Sequence, residues 1–186
     1  MPMILPRWLK SKFILLLLST AFGPLLSQAQ SEYTSKIIAN GKLKWEDFSG
    51  PVDPTSNYAA MTHYQIVYTY KVISIGGSQV SLNLQVSTRL RGNSWVKPTQ
   101  RSDELLAHEQ GHFDIARIHA LTFKKAILST VLLKDTYKEK INLVFQLHLT
   151  NAKLMGLQYD EETNHSLNKS EQKKWNQKLN GLLLEL

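Results

Sequence analysis

The hydrophobic period of this chain changes once, at Pro98, and that change limits what it can fold into. Upstream, residues 60–73 are rich in β-branched and aromatic side chains and contain no Gly or Pro. Gly76-Gly77 follows at a turn position, and residues 79–90 alternate with period two, so Val80, Leu82, Leu84 and Val86 share one face. This pattern predicts a β-hairpin. Before it, Leu43 to Phe48 sits between breakers (Asn40-Gly41, Ser49-Gly50-Pro51) and reads as one strand or an extended segment. Trp95 and Val96 close the β-rich part. Downstream the spacing becomes helical. Ser102 is the expected N-cap of a helix reaching about Thr130, and a second helix is expected from about Asp135 to Leu154, ended by Gly156. Residues 159–166 read as a polar connector, and a third helix starts at Asn168 or Ser170. Strands first and helices after is an α+β layout: a small N-terminal antiparallel sheet, then three helices.

The first thirty residues stand apart from that layout. Arg7, Lys10 and Lys12 precede an apolar run from Phe13 to Leu18, and Leu26-Ser27-Gln28-Ala29 offers the small residues a signal peptidase reads. Residues 1–29 are therefore expected to be a secretory signal peptide, leaving residues 30–186 as a single domain. The run is short and is broken by Gly23-Pro24, which argues against a stable membrane span. Removing the three basic residues lowers the net charge from +7 to +4. Lysines scattered without interleaved aromatics do not form a nucleic-acid strip. There is no cysteine, so neither a disulfide nor a lipid anchor is available. The expected product is exported, periplasmic or secreted, and monomeric.

The chemistry concentrates in the first predicted helix. His108-Glu109-Gln110-Gly111-His112 is an H-E-x-x-H sequence. One helical turn is 3.6 residues, so His108 and His112 lie on one face and can reach one cation. Zinc in such a site keeps a coordination position for water and lowers its pKa, and Glu109 is placed to act as general base. Gly111 inside a helix costs about 1 kcal/mol against Ala, a penalty that points to a close approach against its backbone.

A catalytic zinc needs a third protein ligand. His119 would lie about 10 Å along the helix from His112, too far to share the ion. The ligand must come from downstream: Glu139 on the second helix, or Asp160, Glu161, Glu162 or His165 in the connector, with His165 favoured.

Residues 105–116 closely resemble the core of DUF922, a bacterial family of unknown function described as predicted secreted zinc-dependent proteases. The resemblance extends upstream to Trp45–Gly50, Ser56–Thr62 and Ser94–Val96. Downstream it takes in Tyr159–Ser166, Gln172 and Trp175. It implies a zincin-like metallopeptidase domain with His108 and His112 as ligands and Glu109 as catalytic residue. It strengthens His165 as third ligand, and suggests Asp160 as an orienting partner and Tyr159 as a group polarising the scissile carbonyl. In zincin-like folds a strand edge can hold an extended peptide, and residues 62–90 are the candidate here. Trp45, Trp95 and Trp175 read first as packing residues.

The expected function is hydrolysis of peptide bonds in a peptide, protein or cell-envelope substrate. The alternatives are a non-catalytic exported binding domain stabilised by zinc, and a cell-wall amidase using the same residues.

Overall fold

In the computed structural model the described residues are 34–186; the expected signal peptide lies outside them. Five strands come first: β1 (Ser35–Ile37), β2 (Ala60–Met61), β3 (Tyr64–Gly76), β4 (Gln79–Arg91) and β5 (Trp95–Val96). Three helices follow: α1 (Asp103–Leu128), α2 (Tyr137–Thr163) and α3 (Lys169–Leu184). The architecture is α+β, strands before helices, as the change of period predicts. Among the described residues no helix is long and apolar enough to cross a membrane.

The hairpin β3–β4 dominates a three-stranded antiparallel sheet of order β1-β4-β3, in register from Tyr64↔Leu90 to Gly76↔Gln79 with a bulge between Val72 and Ser74. Gly77 takes the positive φ (59°) that the first position of a tight hairpin turn favours. Val80, Leu82 and Leu84 on the inner face of β4 are buried against Phe123 and Ile127 of α1 and Ile141 of α2. β2 breaks away before the hairpin and pairs with β5 instead.

α1 is the central element. The Ser102 hydroxyl accepts from the Leu105 N–H at 3.1 Å, and Asp103 and Glu104 fill the first turn, where the helix dipole favours acid. One side of α1 packs on the sheet through Ala116 and Ala120, small residues that let Ile66 of β3 approach. The other side meets α2 and α3 through Ile115 and Ile118, with Ala152, Tyr159, Trp175 and Leu179 opposite. Trp95 and Trp175 are buried, and Trp45 packs on Phe48 with ring centroids 5.2 Å apart, so all three pack within the fold.

Two sequence expectations need correction. Leu43–Phe48 is not a strand: Trp45–Asp47 forms a 3-10 turn, because the Asp47 carboxylate takes the Lys44 N–H at 2.8 Å and offers the backbone a local partner instead of a ladder. And α2 does not stop at Gly156. It runs on to Thr163, so Tyr159 and Asp160 are helical and the connector shrinks to residues 164–168. Burial of Tyr159 between helices outweighs the roughly 1 kcal/mol that an interior glycine costs. The side of Gly156 also faces α1, where a Cβ would lie 3.9 Å from His112 Nδ1. The helix ends on three consecutive left-handed residues, Asn164 (φ 46°), His165 (51°) and Ser166 (76°).

Candidate metal centre

On α1 the i, i+4 spacing brings the Nε2 atoms of His108 and His112 to 3.3 Å from each other. α2 crosses this face and puts Asp160 Oδ1 3.2 Å from His108 Nε2 and 2.9 Å from His112 Nε2. A tetrahedron with arms of 2.0–2.1 Å has edges of about 3.3–3.4 Å, so these three donors fit one zinc-sized ion. Two imidazoles and a carboxylate are also a donor set that zinc takes. His165 Nδ1 lies 3.5 Å from the same Asp160 oxygen. His108, Asp160 and His165 form a group whose ligand atoms all lie within 4.8 Å of one another, close enough to hold a metal ion.

Asp160 is thus a potential direct donor rather than only an orienting partner. Burial works to raise its pKa, but the two imidazoles of His108 and His112 beside it outweigh burial and hold the carboxyl well below the usual range. His165 is half exposed and rests against Tyr58, with ring centroids 5.1 Å apart. The three other acidic candidates stand elsewhere. Glu139 borders a separate groove near the start of α2. Glu162 accepts from Trp175 Nε1 and Gln158 Nε2, both at 2.7 Å, and Glu161 faces solvent. His119 lies away from the ion site, beside His148 between α1 and α2.

Tyr159 has a different place from the one expected. It is fully buried, and its hydroxyl donates to the His108 carbonyl at 3.0 Å and accepts from Gln172 Nε2 at 2.6 Å. With both capacities used inside the fold, the hydroxyl has no path to a substrate carbonyl. Burial raises its pKa far above the ordinary phenol value, so it stays protonated. Its ring stacks on His108 at 4.7 Å and meets His112 edge-on at 5.0 Å. This ring also accounts for Gly111: a Cβ there would fall on the Tyr159 hydroxyl and ring.

Two neighbours of the site had no role assigned from sequence. Gln172, on α3, offers Oε1 to His108 Nδ1 at 3.0 Å. Its Nε2 is committed to Tyr159, so Oε1 is the acceptor and His108 carries its proton on Nδ1, leaving the Nε2 lone pair for a metal. Thr62, just after β2, donates to Glu109 Oε2 at 2.6 Å. Both residues stand inside the boxes that resemble DUF922, which was the available signal.

Glu109 is buried and lines a cleft of about 610 Å³ with His108, His112, Asp160 and His165. Residues 57–62 and Tyr64 also line it, so of the candidate stretch 62–90 only Thr62 and Tyr64 reach the cleft. The strand edge here is β2. Lys97 N–H donates to Ala59 C=O at 2.8 Å, which makes Ala60↔Val96 a non-hydrogen-bonded pair. Ala60 therefore turns its own N–H and C=O away from β5, on the strand's unpaired side.

A family model described as a bacterial protein of unknown function, DUF922, matches residues 44–166. The matched span begins beside the Trp45 turn and ends one residue past His165, so it contains Thr62, the H-E-x-x-H turn and Asp160. No curated protein and no solved structure matches the chain. With well over half of its residues inside the match, the chain belongs to the DUF922 family.

Proposed function

We propose that this protein is an exported zinc-dependent hydrolase that cleaves peptide bonds. The observation that carries the reading is the convergence of His108, His112 and Asp160 beside the buried Glu109 at the floor of an open cleft. A zinc ion held there would act as a Lewis acid and lower the pKa of a bound water. Glu109 takes the proton of the attacking water and delivers it to the leaving amine. Thr62 holds Oε2 of that carboxylate and leaves Oε1 for the proton. Gln172 and Tyr159 keep the His108 ring in place from behind. An extended peptide would pair with the unpaired edge at Ala60 and lie across the site. The same chemistry would serve a cell-wall amidase, because substrate choice rests on the cleft walls. The basic start and apolar run of residues 1–29 support export.

A second reading has one specific observation behind it. His165 belongs to the same donor group as His108 and Asp160, and a fourth protein ligand would close the site and make the ion structural. One experiment separates the two: metal content and hydrolysis of casein, peptide libraries and cell-wall fragments by the wild type and Glu109→Ala. Stoichiometric zinc in both with turnover only in the wild type supports the hydrolase. Zinc in both with no turnover by either supports the closed site, and a protein that takes up no metal rejects both readings.

A further inference from the structure

The solvent side of α2 carries an apolar seam that the metal centre does not explain. Leu143, Leu147, Leu154 and Leu157 are each more than half exposed. With Thr150 they follow the 4-3-4-3 spacing of a coiled coil and fall within an arc of about 80° around the helix. The opposite side of α2 is already occupied, through Ile141, Ala152 and Tyr159, so the seam has no partner within the described residues.

The seam reads nearly the same in both directions about Thr150. Leu143 and Leu157 stand seven residues either side of it, Leu147 three before and Leu154 four after. A two-fold interface demands that kind of self-complementarity, since each copy presents the same patch to the other. We propose that α2 pairs antiparallel with α2 of a second copy of this chain, crossing at Thr150. Leu143 then meets Leu157 of the second copy, Leu147 meets Leu154, and the small threonine at the axis lets the helices approach.

Two further features agree with that register. Beside Leu143 lies a groove of about 300 Å³, walled by Val131, Leu133 and Thr136. The antiparallel register brings Leu157 of the second copy over this groove, a knob for a hole. At each end, Lys140 comes beside Glu161 of the second copy and offsets the Glu139–Glu161 repulsion that the same register creates. Because Leu157 also lines the metal-site cleft, the second copy contributes Leu143 and Lys140 to the rim of that cleft. The seam spans two heptads, about 21 Å, so the dimer should be concentration-dependent.

The chain has no cysteine, which allows a direct test. The full chain, purified after export, is studied by sedimentation equilibrium up to high-micromolar concentration, and single-cysteine variants are treated with diamide. We expect a monomer–dimer equilibrium that Leu147→Lys shifts at least tenfold toward monomer, with unchanged circular dichroism and metal content. Thr150→Cys should form a disulfide-linked dimer. Leu143→Cys alone should not, but should cross-link when mixed with Leu157→Cys. A chain that stays monomeric throughout overturns the proposal, as does one whose Leu143→Cys variant cross-links to itself, the mark of a parallel pair. A dimer indifferent to both Leu147→Lys and Thr150→Cys overturns it too, because that dimer uses another face.

Discussion

His108 Nδ1 lies 3.0 Å from Gln172 Oε1, a contact that joins the metal-site face of α1 to a helix beginning five residues after Asn164. α3 is therefore part of the site, although it contributes no donor atom to it. Replacing Gln172 with Leu should lower zinc affinity roughly 10- to 100-fold, the cost of losing an orienting partner behind a histidine ligand. Gln172→Glu keeps an acceptor oxygen and should lose less. Competition with a chromophoric chelator measures both, and equal affinities in all three proteins would refute the assignment.

Gly111→Ala should destabilise the fold although alanine is the better helix former. The added methyl would fall on the Tyr159 ring and hydroxyl. Overpacking of that kind costs about 1–3 kcal/mol, which outweighs the propensity gain of about 1 kcal/mol at most positions. The double variant Gly111→Ala/Tyr159→Phe should lose less than the two single losses added together, because they act on one contact. Urea unfolding of the four proteins gives the answer.

Thr62→Val should slow turnover while leaving metal content unchanged. The hydroxyl donates to the Glu109 carboxylate at 2.6 Å, and a hydrogen bond to a charged group contributes about 1.5–3 kcal/mol. If that orientation serves the transition state, kcat falls roughly ten- to a hundredfold. Glu109→Gln should abolish turnover with zinc still bound. Full activity in Thr62→Val would remove the threonine from the mechanism.

Acid should weaken the fold through the His119–His148 pair before it reaches the carboxylates. Both imidazoles have pKa values lowered from 6.5, His119 by burial and then by the charge of His148, His148 by burial. A base with a depressed folded pKa takes up its proton more readily when unfolded, so stability is full above about pH 6.5 and falls as the pH drops through that value. Among the described residues His119 has no hydrogen-bond partner at either ring nitrogen, so replacing it with Leu removes a buried polar group as well as its titration. His119→Leu should flatten the fall in Tm below about pH 6.5. An unchanged slope would place the acid sensitivity elsewhere.

By itself the sequence determined what depends on neighbours a few residues apart. Period-two alternation with Gly77 at the turn specifies the hairpin, since the side a strand residue faces is set by its parity. Ser102 and the 3.6-residue period specify α1, and the same period puts His108 and His112 on one face. Tertiary structure alone decided contacts between residues far apart in the chain. Gly156 reads locally as a helix stop, yet Tyr159 buried between α1 and α3 carries α2 through it. That extra turn delivers Asp160 to the two histidines and takes the Tyr159 hydroxyl out of the cleft. Thr62 reaches Glu109 across 47 positions and Gln172 reaches His108 across 64. No local period encodes such pairs, because they exist only once the strand edge and α3 have packed against α1.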